Sequence, residues 1–401
     1  MFELSEAQQA VQTSIRRFAR RELRWRARKL DNAPPGAIDR DLLRKSCTFG
    51  LLSGQLPPAY GGTIDPLSAV IATEEIAHWD AGTATLLAAN SLAQAAITLS
   101  GNTTVMDQVF PAITTGEAQQ EPVFIALALT ERRLGSDFVH PTPTNNTRMM
   151  VLAKRRDNAY VLSGRKAYCA GGNLAQWICV FATLSEDRSP AGLTGFVVPT
   201  TASGFHVSEV LPTMGLRACP LVEFYLENVT VPATHLLTAE GQAHVLVQAL
   251  SARGRYQGAA IAVGIARGAF ELARQHSLAR TQGGGPIASH QMVQHLLADM
   301  ATQIEAARLL TYKAATTTPP DLALSSMAKV FASDVAVRVA TDAVQIMGAY
   351  GTTIKSGAEK YFRDAKMTQI FEGTNEICRL AITAPMLRDA GLLPATERIP
   401  H

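Results

Sequence analysis

VFIALAL (Val123–Leu129), AYVLSG (Ala159–Gly164), QWICVFATL (Gln176–Leu184), LTGFVVP (Leu193–Pro199), GFHVSEVL (Gly204–Leu211) and VEFYLENVTVP (Val222–Pro232) follow one another with Gly, Asn, Asp and Pro between them. Short runs of β-branched and aromatic residues, punctuated by turn formers, are the pattern of strands. They predict a compact β domain over residues 121–238. On either side the apolar period lengthens to that of a helix. Upstream, Val11, Ile15 and Phe18 recur at helical spacing, and Ser5-Glu6-Ala7-Gln8 has the form of a capping box. The Pro/Gly break LPPAYGG (Leu56–Gly62) precedes LSAVIATEEIAHWDAGTATLLAANSLAQAAI, which reads as two helices rich in small residues. Downstream, Val293, Leu296, Met300, Ile304 and Ala307 form one apolar stripe, TTTPPD (Thr316–Asp321) interrupts it, and MAKVFASDVAVRVATDAVQIMGAYG resumes it. The order is therefore a helical domain (1–120), a β domain (121–238) and a helical bundle (239–401), an α+β chain without internal repeat.

Composition narrows the function. Lys+Arg of 37 against Asp+Glu of 34 leaves a net charge of +3, which excludes a generally basic nucleic-acid binder. Charged residues are 18% and apolar ones 47%, enough for a large core and against disorder. No run of 18 apolar residues marks a membrane span. The N-terminal stretch lacks the apolar region of a signal peptide, and its acidic residues argue against a transit peptide, so a cytoplasmic protein is expected. Cys47, Cys169, Cys179, Cys219 and Cys378 are scattered and odd in number, fitting neither a disulfide framework nor a zinc site. No HExxH-type ligand cluster occurs, and no metal is expected.

Four segments have the chemistry to form a site. LALTERRLGSDF (Leu127–Phe138) leaves a strand for a Gly-Ser-Asp turn, either an ordinary surface turn or one whose N–H groups and hydroxyl hold phosphate or flavin edges. LARTQGGGPIASHQ (Leu278–Gln291) is a Gly-rich hinge between helices, where Arg280 and a following helix start could receive a pyrophosphate; a plain connection explains it equally well. AVQIMGAYG (Ala343–Gly351) ends a helix in small residues, as a C-cap or as a place of close approach. In QIFEGTNEI (Gln369–Ile377), Glu372 stands at an apolar start to a turn, either as a solvated loop carboxylate or as a general base with a raised pKa.

Together and in this order, the segments resemble the acyl-CoA dehydrogenase family of flavoproteins, over nearly the whole chain. LTERRLGSD is similar to the family's T-E-P-x-x-G-S-D; YVLSGRKAYCAGGNLAQWICVFATL to its strand pair over the flavin; MGLRACPLVEFYLENVTVP to the close of its β domain. RTQGGGPIASHQMVQHLLADM, AVQIMGAYG and KYFRDAKMTQIFEGTNEI resemble its C-terminal segments. The resemblance implies an N-terminal helical domain, a central β-barrel and a C-terminal four-helix bundle, with noncovalent FAD at the interface of a homodimer or homotetramer. It implies α,β-dehydrogenation of an acyl-CoA or acyl-carrier-protein thioester, with Glu372 removing the α-proton and flavin N5 accepting the β-hydride. Leu127, Leu129, Thr130, Ser136, Tyr168 and Ala170 would meet the flavin, and Arg280, Gln282 and Gln291 the phosphate–adenosine half. Gln345 and Gly348 would arrive from the neighbouring subunit, Thr374 and Glu376 would also contact FAD, and Ser136, Arg255 and Gly373 would lie at the substrate. Some members carry the base just before a conserved Arg; Arg255 looks like that Arg, and Gly254 before it cannot be a base. Electrons would pass to an acceptor such as an electron-transferring flavoprotein.

The chain departs from the family's pattern at several places. Ala170 replaces a Thr or Ser that hydrogen-bonds flavin N5, Gly283 an aromatic residue, Arg132-Arg133 the Pro of T-E-P, Ala349 one Gly of G-G-x-G, and Ser251-Ala252 a region where CoA users carry an Asp. With Glu372 kept, these changes point to a biosynthetic member whose substrate is tethered to a carrier protein. Arg132 and Arg133 would either face that partner's phosphopantetheine arm or form a solvated turn. Leu86–Ala96 is expected to line the acyl cavity. The competing readings are a flavin oxidase or monooxygenase on the same fold, against which the retained Glu372 speaks, and a non-catalytic relative.

Overall fold

The computed structural model describes residues 3–140 and 148–393. Five helices come first: α1 (Glu6–Asp31), α2 (Arg40–Cys47), α3 (Pro66–Ala77), α4 (Ala81–Ser100) and α5 (Thr103–Ala118). Their starts follow from the sequence. Ser5 closes the expected capping box with Gln8, and Asp39, Asp65, Asp80 and Asn102 each accept a backbone N–H of the first turn. Such a cap is worth about 1 kcal/mol.

Seven strands follow: β1 (Phe124–Ala128), β2 (Leu152–Arg156), β3 (Ala159–Ala170), β4 (Ala175–Thr183), β5 (Leu193–Pro199), β6 (Phe205–Leu211) and β7 (Leu221–Pro232). They make one curled sheet in the order β1-β4-β2-β3-β7-β6, with β5 antiparallel to β4. β1 runs parallel to β4, Leu127 opposite Cys179, and is an edge strand. The β3–β7 register shifts between Lys166 and Cys169. At this bulge Lys166, Ala167 and Cys169 stay buried while Tyr168, at φ +56°, is 53% exposed.

The remainder is helical: α6 (Ala243–Ala279), the two-residue strands β8 (Thr281–Gln282) and β9 (Gly285–Pro286), α7 (Gln291–Thr316), α8 (Leu322–Gly351), α9 (Ala358–Thr368) and α10 (Asn375–Asp389). Two local expectations are refined. The Gly-rich hinge is a β8–β9 hairpin, and the small-residue segment near 348 is a kink: Gly348 takes φ +59°, ψ −142° inside α8. Among the described residues no helix is long and apolar enough to cross a membrane, and no group of three or more His, Cys, Asp or Glu could hold a metal ion. All five cysteines are free and buried.

α6 is the axis of the molecule, buried along most of its length against α3, α4, α8 and α9. Its glycines set that packing. A Cβ on Gly264 would lie 2.5 Å from Ala77 Cβ, and one on Gly268 2.5 Å from His78 O, so α3 ends against bare backbone. Charges tie the same layers together. Arg267 on α6 reaches Glu74 at 2.8 Å and Glu75 at 2.6 Å, Arg308 on α7 reaches Glu74 at 3.1 Å, and Arg16 on α1 reaches Glu75 at 2.8 Å. Glu74 and Glu75 each have two guanidinium partners, so each buried carboxylate keeps one cation if a single Arg is lost.

His78 accepts a hydrogen bond from Arg267 Nε at 3.1 Å, and burial followed by that guanidinium pushes its pKa from 6.5 down to about 4. The unfolded chain therefore takes up a proton between those values that the native state refuses. Stability contributed above pH 6.5 is lost as the pH falls through about 4, by about 3 kcal/mol in all. Denaturant unfolding at pH 7, 5 and 4 should show a smaller acid loss in His78→Gln than in the wild type. Identical losses would remove His78 from the account.

Candidate active site

A cavity of about 750 Å3 opens between edge strand β1, the bulged end of β3, helices α4 and α6, and the turn joining α9 to α10. α4 lines it with Thr85, Ala88, Leu92 and Ala95, and α6 with Val247, Leu250, Gly254, Gly258 and Ile261, each set spaced three or four residues apart on one helical face. This agrees with the expectation for residues 86–96. Leu127, Leu129, Thr130, Ser136, Tyr168 and Ala170 form the wall on the sheet side, facing Glu372, Gly373 and Thr374.

The other expected residues lie elsewhere. Arg255 is fully buried behind the cavity wall, and Glu376 is exposed on the first turn of α10. Arg280, Gln282, Gln291, Gln345 and Gly348 are exposed and outside the cavity. His276 stacks on Tyr350 with ring centroids 6.0 Å apart, so the C-terminal ends of α6 and α8 are neighbours. A single chain thus gathers these residues at one open end of the bundle rather than at the cavity. Arg132 donates to Glu223 at 2.6 Å and lies 3.5 Å from Glu209, so it is tied to the sheet while its side chain stays half exposed. Arg133 is exposed, without an ion pair among the described residues.

The sheet-side wall is anchored from within. Lys166 Nζ donates to Leu129 O at 2.8 Å and to Glu131 Oε1 at 2.9 Å, both side chains being fully buried, and Ala167 N donates to Thr130 O. Nearby, Leu216 N donates to Asp364 Oδ1 at 2.7 Å, and Lys360 pairs with Asp364 at 2.6 Å and Asp80 at 3.0 Å. These pairs fix the backbone of Thr130 and of Met214–Leu216 at the cavity's edge.

Glu372 sits in a turn of unusual backbone. It adopts φ +57° and Gly373 φ +87°. For a non-glycine residue this conformation costs roughly 1–2 kcal/mol, so neighbouring contacts must impose it. Arg255 Nε donates to Glu372 O at 3.4 Å, and its Nη1 donates to Ser326 Oγ at 2.7 Å. Lys329 Nζ donates to Gly373 O at 2.7 Å and to Asn375 Oδ1 at 2.9 Å. Asn375 in turn donates from its backbone to Gln369 O, and from its side chain to Ser333 and Asp334. Two cations on α6 and α8 thus grip consecutive carbonyls of the turn.

The carboxylate itself projects over α6. A Cβ on Gly254 would stand 2.0 Å from Glu372 Oε2, and one on Gly258 3.1 Å from Phe371 Cε2. Glycine at 254 is therefore the opening that admits the acid. Desolvation raises the Glu372 pKa, and the positive charges of Arg255 and Lys329 oppose the rise. Burial lowers Lys329 to about 8. The result is a carboxylate of increased basicity, held by its backbone and aimed into a largely apolar cavity, as a general base requires.

Lys329, Asn375 and Ser326 escaped the sequence reading. Lys329 stands in MAKVFASD, where it looks like a polar residue of a helix, and its contact with Gly373 spans 44 residues. Lys329→Met is expected to reduce kcat roughly 10- to 100-fold. It should also move the acid limb of the kcat profile to higher pH, because a charge that lowers the Glu372 pKa is gone. In the wild type, activity should fall again above pH about 8 as Lys329 loses its proton. An acid limb unmoved in the variant would contradict this role.

Comparison with known proteins gives the family. Family models for the N-terminal, middle and C-terminal domains of acyl-CoA dehydrogenases match residues 5–117, 126–229 and 244–387. A cyclohex-1-ene-1-carbonyl-CoA dehydrogenase of Geobacter metallireducens is 37% identical over 396 residues, covering 96% of this chain and 100% of the relative. The structure of butyryl-CoA dehydrogenase from Megasphaera elsdenii superposes with a TM-score of 0.87 at 31% identity, covering 97% of this chain and 100% of that one. A prolyl acyl carrier protein oxidase superposes with a TM-score of 0.85 at 25% identity, covering 96% of this chain and 100% of that one. The chain belongs to the acyl-CoA dehydrogenase family, flavoprotein oxidoreductases that act on CH–CH bonds.

Proposed function

We propose that the protein is an FAD-dependent dehydrogenase that desaturates an acyl thioester between its α- and β-carbons, with Glu372 as the base. The observation that carries this reading is the desolvated carboxylate of Glu372, placed over Gly254 at the cavity wall opposite Tyr168 and Thr130.

The residues present suit a flavin. Leu127, Leu129 and the exposed Tyr168 ring offer an apolar surface for a flat heterocycle, and the Thr130, Ser136 and Thr374 hydroxyls offer hydrogen bonds at its rim. FAD, when bound, supplies the acceptor for the β-hydride. The protein's own part is to take the α-proton onto the Glu372 carboxylate while the apolar faces of α4 and α6 exclude water from it. Arg255 and Lys329 hold the turn from behind. Arg280, Gln282, Gln291, Gln345 and Gly348, gathered at the open end of the bundle, are assigned to the cofactor of a second copy in a homodimer or homotetramer. An electron-transferring flavoprotein is assigned as the electron acceptor.

The substrate's tether is assigned to a carrier protein. Two observations support this: Ala252 stands where CoA users carry an Asp, and one structural relative is a prolyl acyl carrier protein oxidase. Anaerobic mixing of the FAD-loaded protein with acyl-CoAs, and with the same acyl groups on carrier protein, tests both parts by loss of flavin absorbance near roughly 450 nm. Faster bleaching by the carrier-bound thioester is expected, and faster bleaching by the CoA ester would reverse the tether. No bleaching by any thioester would overturn the dehydrogenase reading, and rapid reoxidation by air would favour an oxidase.

A further inference from the structure

Three walls of the cavity meet at one ammonium group. Lys360 stands on α9, is buried, and lies 2.6 Å from Asp364 Oδ2 and 3.0 Å from Asp80 Oδ1. Each carboxylate gives its second oxygen to the backbone of a wall. Asp80 Oδ2 accepts from Thr83 N at 2.8 Å, capping α4, and Asp364 Oδ1 accepts from Leu216 N at 2.7 Å on the sheet side. α9 itself runs into the turn of Glu372, where Ile370 N and Phe371 N both donate to Met367 O. Lys360 thus joins the helix that lines the cavity, the edge of the sheet wall and the wall that carries the base.

The sheet segment held there has no slack. A Cβ on Gly215 would lie 2.7 Å from Arg363 O and 2.8 Å from Asp364 N, so its backbone rests on the backbone of α9. A Cβ on Gly82 would lie 2.8 Å from Ala218 N and 2.9 Å from Leu216 O, so the first turn of α4 presses on the same segment. Arg363 Nη1 also donates to Met214 O at 2.7 Å. Beyond it the chain enters β7, where Leu221 and Val222 pair with Ala170 and Cys169 beside Tyr168. A displacement of residues 214–218 is therefore passed to the wall assigned above to the flavin.

We infer that Lys360 is a positioning residue: through Asp80 and Asp364 it sets the separation between the flavin-side wall and the wall that carries Glu372. This rests on the dehydrogenase reading above and adds a residue to it. Proton and hydride leave adjacent carbons towards opposite walls, so the gap decides whether both transfers are within reach at once. An error of about 1 Å there is worth on the order of 10²-fold in rate. The charges that act on Glu372 are those of Arg255 and Lys329, so a change at Lys360 leaves the titration of the base alone.

The test compares FAD-loaded wild type, Lys360→Met and Lys360→Arg, each well below its Tm. The thioester is whichever member of the acyl-CoA and acyl-carrier-protein panel bleaches the wild type fastest. Single-turnover bleaching gives the limiting rate and half-saturation, its pH profile gives the acid limb, and the visible spectrum before mixing reports the flavin's surroundings. Lys360→Met should lower the limiting rate roughly 10- to 100-fold, change half-saturation less than about threefold, displace the flavin band and leave the acid limb in place. Lys360→Arg, which keeps the charge, should recover most of the rate. Loss of Tm alone in Lys360→Met, or a shifted acid limb, overturns the inference. Lys360→Met strips two buried carboxylates of their cation, so where it fails to fold Gly82→Ala carries the test, moving the same segment without touching a charge. The same slow rate, displaced band and fixed limb are expected, and a wild-type rate and band in Gly82→Ala overturn the inference. Failure of every thioester to bleach the wild type overturns the dehydrogenase reading instead, and the flavin bands of the variants still decide the role of Lys360.

Discussion

Glu372→Gln is expected to slow anaerobic flavin reduction by roughly 10²–10⁴-fold, the usual contribution of a general base. The substitution is close to isosteric and removes only the capacity to take a proton. The contacts that shape the turn go to the carbonyls of Glu372 and Gly373, not to the carboxylate, so Arg255 and Lys329 keep their grip. Substrate affinity should change little, and the loss should fall on the chemical step. The folded state has no reason to suffer: desolvation disfavours the charged acid that Gln replaces, so Tm should stay level or rise. Single-turnover bleaching and thermal unfolding of both proteins give the two numbers. A variant within tenfold of the wild-type rate would remove Glu372 from the mechanism.

Gly254→Ala is expected to separate activity from stability even more sharply. In a helix interior, Ala is about 1 kcal/mol better than Gly. The new methyl, however, would fall 2.0 Å from Glu372 Oε2. The atom it meets is the free end of a flexible side chain, so the acid swings away rather than the helix breaking. A misplacement of about 1 Å at a reacting group can cost on the order of 10²-fold in rate. The prediction is therefore a protein as stable as the wild type or more so, with flavin reduction slowed about a hundredfold. Gly258→Ala, whose methyl would meet Phe371 at 3.1 Å, serves as the neighbouring control and should lose far less. Equal rates in Gly254→Ala and wild type would show that the carboxylate works from a different position.

Much of this was legible in the sequence because it is local. The Ser5 cap, the run of short strands and the helical stripes are patterns of period and turn chemistry, and Glu372 stands in a recognisable segment. The contacts that complete the site are not local. Lys329 meets Gly373 across 44 residues and Gln257 meets Gln55 across 202, and periodicity carries no information about either. The parallel pairing of β1 with β4 is likewise a product of the intervening chain's path. Segments at 278–291 and 343–351 were legible as breaks but not as the particular breaks they are. A two-residue hairpin and a kink at Gly348 leave the same small-residue signature as a hinge and a helix end. The ion pairs of Arg132 were not legible because its partners, Glu209 and Glu223, arrive from strands far along the chain.

The grip of Arg255 and Lys329 on two successive carbonyls also settles where the opposite ends of those peptides look. A trans peptide sets its C=O and N–H in opposite directions. With the carbonyls of Glu372 and Gly373 drawn to the two cations, the N–H groups of Gly373 and Thr374 face away from them, and neither has an acceptor among the described residues. Both residues border the cavity. Positive potential thus reaches that space through neutral peptide dipoles, while the ammonium and guanidinium groups stay behind the wall. Charge gathering on an oxygen there would meet fixed donors with no side chain to reorganise, and the acid would be spared a direct ion pair that would quench its basicity.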